Sequence, residues 1–319
     1  MTTEGYSFII PAYNDARGLS RHLEYFTACD APVQLVVVDD CSEDDTATLI
    51  AAAEMPDHVE LTYHCQAENA GPGAARNAGL ELATREYAMF LDADDQLAPC
   101  FFDVMRLAPL GLGVDFVMFK HHLSTRADTR FTYDMHPVDR AFFSHRPESP
   151  FPMQQFRLKD RPEVLGTVNF PWNKLYRRDF LTDAGIEFPE HIRMHEDIRP
   201  HWQSFLRSRG FGVLYWAPPL LTHYEIPEGN RATQYVGQKR MGVFGELARI
   251  EAELLAHPDA DRLEPVFSSF CSGLFDWMTG PLCSASDSET EYWRNQYREA
   301  TAAFWSEAQV TKPQADTVS

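Results

Sequence analysis

The sequence lacks long apolar runs and paired cysteines. None of its 319 residues belongs to an uninterrupted apolar stretch of about eighteen or more, so no segment is predicted to span a membrane as a helix. Six scattered cysteines include no CxxC pair, and the polar amino terminus is not typical of a secretory signal. We therefore expect reduced thiols and a cytoplasmic protein.

The sequence also has few basic residues. It contains 28 Lys and Arg against 47 Asp and Glu, which gives a formal net charge of -19 at pH 7. Nucleic acids and anionic membranes attract basic surfaces, and this charge balance makes such a surface difficult to assemble. We therefore expect no nucleic-acid partner.

The residues that are present predict an α/β fold. Apolar residues make up 44% of the chain and aromatic residues 13%, which is enough for a large core. Near the amino terminus, short apolar runs alternate with amphipathic segments, as in a mainly parallel sheet flanked by helices. Ser42, followed three residues later by Asp45, predicts a helix start capped by Ser42. The predicted strands are residues 6–10, 35–38, 59–63 and 87–91.

Acidic side chains follow two of these strands. Asp39 and Asp40 end the second strand, and Asp92, Asp94 and Asp95 follow the fourth. The carboxyl ends of parallel strands meet at one edge of a sheet, where ligands of open α/β proteins bind. Mg²⁺ and Mn²⁺ prefer carboxylate oxygens, and alternate positions of an extended segment point the same way. We therefore predict that Asp92 and Asp94 face one metal site, the alternative being an acidic turn that binds nothing.

The pattern changes after residue 97. Residues 114–119 predict a further strand, whereas residues 121–168 have weak periodicity and are interpreted as a long functional loop, the alternative being short strands that periodicity does not reveal. From about residue 234, apolar residues recur at helical spacing. This recurrence predicts a helical C-terminal region with a frayed tail after Gln309.

Several motifs occur in a familiar order and spacing. Together they resemble the inverting glycosyltransferases of family 2, which have the GT-A fold. The first four motifs cover residues 6–97, and the last two resemble the acceptor half of that family. The motifs are IIPAYND at 9–15, VVVDDCSEDDT at 36–46, NAGPGAARNAG at 69–79, FLDADD at 90–95, PWNKLYRRDF at 171–180 and MHEDI at 194–198.

The resemblance implies a domain organisation and an activity. Residues 1–230 would form the GT-A glycosyltransferase domain, with residues 1–97 as the nucleotide-sugar-binding half and residues 98–230 as the acceptor half. Residues 231–319 would form the helical C-terminal region, which we expect to pack on the catalytic domain or to self-associate as a homodimer. The enzyme would use Mn²⁺ or Mg²⁺ to transfer a sugar from a nucleotide-sugar donor, most simply a UDP-sugar, to a glycan or glycolipid acceptor. For a membrane-borne acceptor we expect peripheral association with the inner face of the membrane.

The resemblance also implies which residues surround the donor. Tyr13, together with Asp39 or Asp40, would hold the base and ribose, by stacking and by carboxylate hydrogen bonds. Arg76 would neutralise the diphosphate or hydrogen-bond a pyrimidine. The full set of donor-binding residues implied by the motifs is Pro11, Tyr13, Asp15, Asp39, Asp40, Arg76, Asp92 and Trp172.

The acceptor half supplies the implied catalytic base. Inverting transfer needs a carboxylate to take the proton of the acceptor hydroxyl, and the motif at 194–198 assigns that task first to Asp197 and second to Glu196. Trp172 and Lys174 would shape the acceptor or sugar pocket, the alternative being a buried structural tryptophan.

The resemblance implies a third metal ligand beside Asp94 and Asp92. His223 is the candidate, with an ordinary strand histidine as the alternative. Ile226 and Pro227 stand where the family commonly has a histidine, so the sequence departs from the usual pattern next to this ligand.

Two other functions remain as alternatives. A sugar-nucleotide pyrophosphorylase also pairs an α/β sheet with acidic metal ligands, but it needs a glycine-rich basic phosphate loop near the amino terminus. The segment from Pro11 to Asn14 is not such a loop. A non-catalytic nucleotide-sugar-binding or scaffold module of a polysaccharide assembly is the second alternative, and the intact Glu196 and Asp197 argue against it.

Overall fold

The computed structural model describes residues 3–107, 113–124, 132–133, 135–145, 153–224 and 235–313. Within these residues the strands form a large sheet and a small one. The large sheet has eight strands in the order β3-β2-β1-β4-β10-β6-β11-β9, and the small sheet has the order β5-β12-β7-β8. The strands are β1 Thr3–Ala12, β2 Val33–Asp39, β3 Val59–Cys65, β4 Arg85–Phe90, β5 Gln96–Leu97, β6 Phe116–Met118, β7 His121–Ser124, β8 Thr132–Tyr133, β9 Gln154–Phe156, β10 Lys174–Arg177, β11 Phe211–Val213 and β12 Leu221–Tyr224.

Helices cover both faces of the large sheet and form the C-terminal region. Short 3₁₀ helices cover Leu158–Asp160, Pro162–Gly166, Pro171–Asn173 and Gln238–Arg240. The α-helices are α1 Ala16–Thr27, α2 Thr46–Ala51, α3 Pro72–Leu82, α4 Phe101–Leu107, α5 Pro137–Ser144, α6 Arg178–Asp183, α7 Ile198–Arg207, α8 Gly242–Leu255, α9 Ala260–Thr279 and α10 Ser288–Glu307.

Strand β1 lies at the centre of the parallel part of the large sheet. It pairs in parallel with β2 on one side and with β4 on the other. Phe8, Ile9 and Ile10 are fully buried, because both faces of this strand are covered. Ile9 packs with the α3 side of the core, and Phe8 and Ile10 pack with the α1 side. The strand order changes direction at β1, since β2 and β3 lie on one side of it and β4 on the other. Open α/β sheets bind ligands at the carboxyl ends of the strands next to such a point, which here are β1 and β4.

The small sheet carries residues from two distant segments to the same edge. Strand β12 pairs with β5 in antiparallel fashion, with Leu221 opposite Leu97. It also pairs in parallel with β7, with Leu221 opposite His121. As a result, His223 on β12 lies beside the acidic turn that connects β4 to β5.

The C-terminal helices pack on the rest of the chain and share one apolar core with it. The ring of Trp202 on α7 contacts Phe267 and Phe270 of α9, with centroids 5.1 and 5.4 Å apart. Among the described residues, no helix combines the length and the apolar character needed to cross a membrane.

The mainly parallel sheet flanked by helices, with a helical C-terminal region, confirms the predicted fold class. The assumed domain boundary at residue 230 lies outside the described residues, so the division at this point stays a prediction. The same holds for Ile226 and Pro227 and for the last part of the C-terminal tail.

Two local predictions are wrong. Residues 121–168 are not one long loop, since their described parts contain α5 and three short strands. Short strands such as β9 form by pairing with distant residues, which local periodicity does not reveal. Ser42 does not cap α2, because this helix begins only at Thr46. The backbone N–H of Thr46 donates to the side chain of Asp44 at 3.1 Å. The hydroxyl of Ser42 accepts a hydrogen bond from the backbone of Asn14 instead.

The close approach of α3 to β1 gives a stability prediction. A Cβ atom added at Gly79 would lie 2.3 Å from Cγ2 of Ile9, whereas one added at Gly245 would meet nothing within 4 Å. We expect Gly79→Ala to lower the free energy of unfolding by about 1–3 kcal/mol through overpacking. Gly245→Ala in the exposed face of α8 serves as the control and should raise it by up to about 1 kcal/mol. Urea denaturation measures both, and equal effects of the two variants would contradict the packing argument.

Candidate active site

A cleft of about 670 Å³ opens at the carboxyl ends of β1 and β4. Its wall combines carboxylates, basic side chains and backbone from both halves of the sequence. The cleft is lined by Pro11, Ala12, Tyr13, Asp15, Asp40, Asn69, Gly71, Pro72, Arg76, Asp92, Ala93, Asp94, Arg193 and Lys239.

The loop after β1 presents an aromatic ring to this cleft. The side chain of Tyr13 is 52% exposed, so its face is available to a planar ligand. Asp15 caps α1 by accepting a hydrogen bond from the backbone of Gly18 at 2.9 Å. Asn14 adopts a left-handed backbone with φ of 52° and accepts from the backbone of Glu43 at 2.7 Å. These hydrogen bonds fix the position from which Tyr13 projects.

The two acids after β2 differ in their access to the cleft. Asp39 is buried and accepts from the Tyr63 hydroxyl at 2.7 Å and from the Ser42 backbone at 2.8 Å, and it does not line the cleft. Asp40 lines the cleft and accepts from the backbone of Ala70 and Gly71 at 2.6 and 2.8 Å. Of the two alternatives, only Asp40 therefore lines the cleft, and it also holds the loop that precedes α3.

Three carboxylates converge after β4. Carboxylate oxygens of Asp92, Asp94 and Asp95 lie within 4.8 Å of one another. Burial, together with the neighbouring Asp92, raises the pKa of Asp94. Oδ2 of Asp95 is buried and has no hydrogen-bond partner among the described residues. Clustered hard oxygen donors whose charges repel one another fit a divalent cation, because the cation would relieve that repulsion.

Helix α1 holds the backbone of this acidic turn. Nε2 of His22 donates to the carbonyl oxygen of Asp92 at 3.0 Å, and Arg21 donates to that of Asp94 at 3.2 Å. Burial lowers the pKa of His22 to about 4, so this ring is neutral at pH 7 and serves as a hydrogen-bond donor. The turn is therefore positioned before any ligand binds.

His223 meets the acidic turn through Asp95. Its Nδ1 donates to Oδ1 of Asp95 at 2.7 Å, and Asp95 is fully buried. Burial alone would lower the pKa of His223, but the contact with Asp95 outweighs it and raises the pKa to about 9. A carboxylate that binds one ring nitrogen orients the other, which is the usual support of a metal-binding histidine. The structure thus places His223 beside the three carboxylates.

Arg76 joins the two halves of the sequence at the cleft. Its guanidinium donates to Asp92 at 2.7 Å and to Glu196 at 2.9 Å, and the residue is only 5% exposed. Burial would lower the pKa of this guanidinium, but the two carboxylates raise it. The ring of Phe188 packs against the guanidinium, with the carbon of the group 5.2 Å from the ring centroid. Glu196 is thereby engaged in an ion pair.

Asp197 stands at the start of α7, directly after Glu196. It is partly exposed and is not among the residues that line the cleft, but it borders a small internal cavity. Burial raises the pKa of Asp197 to about 7, with a further contribution from the charge of Glu196. The preceding His195 adopts a left-handed backbone with φ of 63°, and its Nε2 accepts from Arg240 at 2.8 Å. This contact ties the loop before α7 to the C-terminal region.

Trp172 does not line the cleft. Its side chain is 1% exposed and packs against the rings of Phe170 and His223, with centroids 4.2 and 5.0 Å away, and those two rings also contact each other at 5.3 Å. The indole therefore contacts His223 as a buried tryptophan. Lys174 is also buried and lines the same internal cavity as Asp197.

Sequence reasoning did not assign several residues that the structure places here. Asp95 belongs to the acidic motif, and its burial was the part that the sequence did not reveal. Arg193 lines the cleft and donates to Asn69 Oδ1 at 3.0 Å and to the carbonyl oxygen of Asn69 at 2.8 Å. Its position one residue before the motif at 194–198 was the only signal. Lys239 reaches the cleft from the C-terminal region, for which no sequence signal existed.

Comparison with known proteins decides the family. The family model described as glycosyl transferase family 2 matches residues 7–184, which is more than half of the chain. The chain belongs to glycosyltransferase family 2. This family 2 protein is therefore a glycosyltransferase, and the resemblance inferred from the motifs is confirmed.

Individual relatives agree with this assignment. The uncharacterized glycosyltransferase YibD of Escherichia coli is 27% identical over 225 residues, which cover 70% of this chain and 62% of YibD. The succinoglycan biosynthesis protein ExoO of Rhizobium meliloti is 42% identical over 94 residues, covering 29% of this chain and 26% of ExoO. The chain thus spans less than two thirds of the length of either relative.

A solved structure shares the fold. The crystal structure of Staphylococcus aureus TarS 1-349 in complex with UDP-GlcNAc superposes with a TM-score of 0.70 at 19% identity. The match covers 95% of this chain and 83% of that one. At this identity, the similarity establishes the common GT-A architecture.

The double ion pair of Arg76 gives a prediction. Arg76→Met leaves Asp92 and Glu196 as unpaired, mostly buried carboxylates, which should cost about 3 kcal/mol or more of unfolding free energy. Chemical denaturation with circular dichroism measures the loss. Arg106→Met, which removes an exposed ion pair with Asp30, is the control and should leave the midpoint unchanged. Equal midpoints for both variants would show that the Arg76 pairs contribute nothing.

Proposed function

We propose that this family 2 enzyme transfers a sugar from a UDP-sugar donor to an acceptor hydroxyl with inversion at the anomeric carbon. The main supporting observation is that Tyr13, Arg76 and the acidic turn line one cleft, while Asp197 directly follows the Glu196 that pairs with Arg76. The TarS structure, which holds UDP-GlcNAc, supports a uridine nucleotide. The succinoglycan relative supports a role in surface polysaccharide or glycoconjugate biosynthesis.

The acidic turn fits a divalent cation, for which we propose Mn²⁺ or Mg²⁺. Asp94 and Asp92 would hold it, and His223 is the candidate third ligand, oriented by Asp95. When bound, the ion would stabilise negative charge on the leaving diphosphate. The chain carries a net charge of -19, so a cation is also needed to offset the repulsion of an anionic donor.

The chain's own residues divide the remaining work. Tyr13 offers a ring for the nucleobase, and Asp40 lines the same part of the cleft. Arg76 fixes Asp92 on the donor side and Glu196 on the acceptor side. Asp197 accepts the proton of the acceptor hydroxyl while that oxygen attacks the anomeric carbon opposite the diphosphate. Because Glu196 is held in an ion pair, Asp197 is the better base of the two.

We propose that the three parts of the chain have different tasks in binding the substrates. Residues 1–97 bind the nucleotide sugar, residues 98–230 bind the acceptor, and residues 231–319 complete the cleft through Lys239. The acceptor is a glycan or a glycolipid, and a membrane-borne acceptor would be reached by peripheral association. Self-association through the C-terminal helices remains a separate prediction.

A panel of UDP-, GDP- and dTDP-sugars tests the donor and the metal together. Metal-dependent hydrolysis of each donor needs no acceptor, and we expect activity with a UDP-sugar in the presence of Mn²⁺ or Mg²⁺. We also expect excess EDTA to abolish UDP binding in calorimetry, because the acidic turn repels a diphosphate without a cation. Undiminished UDP binding in EDTA would contradict the proposed metal site. Preference for a GDP- or dTDP-sugar would contradict the proposed UDP-sugar donor.

Substitution of the proposed base gives a second test. Asp197→Asn should lower kcat by about a hundredfold to ten-thousandfold while UDP binding is kept, since only proton transfer is lost. In the native enzyme the raised pKa of about 7 means that kcat falls as the pH drops below about 7, where Asp197 becomes protonated. Full activity of Asp197→Asn would exclude this base, and the scaffold alternative would be favoured if no native activity were found with UDP bound.

A further inference from the structure

A group of buried polar residues lies behind Asp197, and the proposed reaction does not use it. Lys174, Asp139 and His121 are each fully buried, and His201 is 2% exposed. Burial of ionisable side chains is costly unless they are paired, so a cluster of this kind needs a reason. The four side chains come from β10, α5, β7 and α7, and therefore no single element brings them together.

Two members of this group, Lys174 and His201, line an internal cavity together with the proposed base. It measures about 10 Å³, which is room for a single water molecule. Asp197, Lys174, His201 and Asn169 all line it. Oδ1 of Asn169 is buried and has no hydrogen-bond partner among the described residues. The lining is mostly apolar, and Lys174, Asp197, Asn169 and His201 are the residues of it that carry hydrogen-bonding or charged side chains besides Tyr176.

Two hydrogen bonds hold the ammonium group of Lys174. Its Nζ donates to the carbonyl oxygen of Phe170 at 2.8 Å and to Oδ1 of Asn173 at 2.7 Å. An ammonium carries three N–H donors, so one of them has no partner among the described residues. No carboxylate of the described residues forms a direct ion pair with Lys174, so its charge acts over a longer distance.

Two carboxylates, those of Asp139 and Asp197, stabilise the positive charge of Lys174. Burial lowers the pKa of Lys174 to about 7, while Asp139 and Asp197 both act to raise it. Asp139 accepts from the backbone of Val168 at 2.8 Å, and burial raises its pKa to about 6. The other charged or titratable groups that face Asp197 or Lys174 are Glu196, Arg76, Asp92, His121 and His201.

We propose that Lys174 is a positioning residue for Asp197, acting across the cavity to favour and orient its charged form for proton transfer. This inference rests on the proposed function, because it assumes that Asp197 is the base. Arg76 does not perform this task alone, since its two hydrogen bonds go to Asp92 and Glu196. Lys174 is then the cation on the inner side of Asp197, and Asp139 helps to keep that cation charged.

The pH profile of kcat tests this role. Lys174→Met removes the charge but keeps the length of the side chain, and we expect the acid limb of kcat to move upward by about one pH unit. The KM for the donor should stay unchanged, and kcat should recover at high pH. Lys159→Met, which alters an exposed lysine, is the matched control and should leave the profile unchanged. A uniform loss of kcat without movement of the limb would overturn the proposal.

Asp139→Asn provides a second variant that leaves Lys174 in place. Asparagine keeps the acceptor for the backbone of Val168 and removes the carboxylate that helps to keep Lys174 charged. The acid limb should therefore move to higher pH, in the same direction as in Lys174→Met, because a less charged Lys174 favours the charged form of Asp197 less. If Lys174→Met does not fold, this variant alone decides, and an unchanged or downward-shifted limb counts against the proposal.

The native enzyme and Asp197→Asn separate this inference from the proposed function. An inactive native enzyme, or a fully active Asp197→Asn, means that the proposed function has failed. An active native enzyme with an acid limb, inactive Asp197→Asn and unmoved limbs in both Lys174→Met and Asp139→Asn means that only the role of Lys174 is wrong. Upward shifts of the limb in both variants support the inference.

Discussion

The buried ion pairs of Arg76 are the constraint on which the site depends. One guanidinium, carried by α3, binds the acidic turn after β4 through Asp92 and the start of α7 through Glu196. These two segments are more than a hundred residues apart in the sequence, yet one side chain holds both of them. A planar group with fixed donors sets their separation more firmly than a flexible ammonium could.

The parts of the molecule that the sequence predicted share a physical reason. The central strands are continuous apolar runs that end in acids, and such runs identify both the sheet and its functional edge. The strands β1 to β4 and the positions of Asp92 and Asp94 followed from this pattern, and the fold was confirmed. The roles of the individual side chains stay predictions, although the structure brings most of them to one cleft.

What the sequence could not reveal depends on tertiary pairing and burial. Strands of two or three residues, such as β5 and β9, exist only because a distant strand supplies their hydrogen bonds. Trp172 was expected at the pocket wall, but it is buried against the rings of Phe170 and His223 and does not line the cleft. Asp39 and Asp40 look alike in sequence and are both buried, but only Asp40 lines the cleft.

The contact between Arg240 and His195 has a consequence for how such an enzyme can be rebuilt. His195 holds a left-handed backbone immediately before the Glu196 and Asp197 pair, and its ring is bound by a guanidinium from the C-terminal region. The C-terminal region therefore helps to hold the loop that carries Asp197. A chimaera with a foreign C-terminal region must supply an equivalent hydrogen-bond donor to His195, or that loop loses this contact.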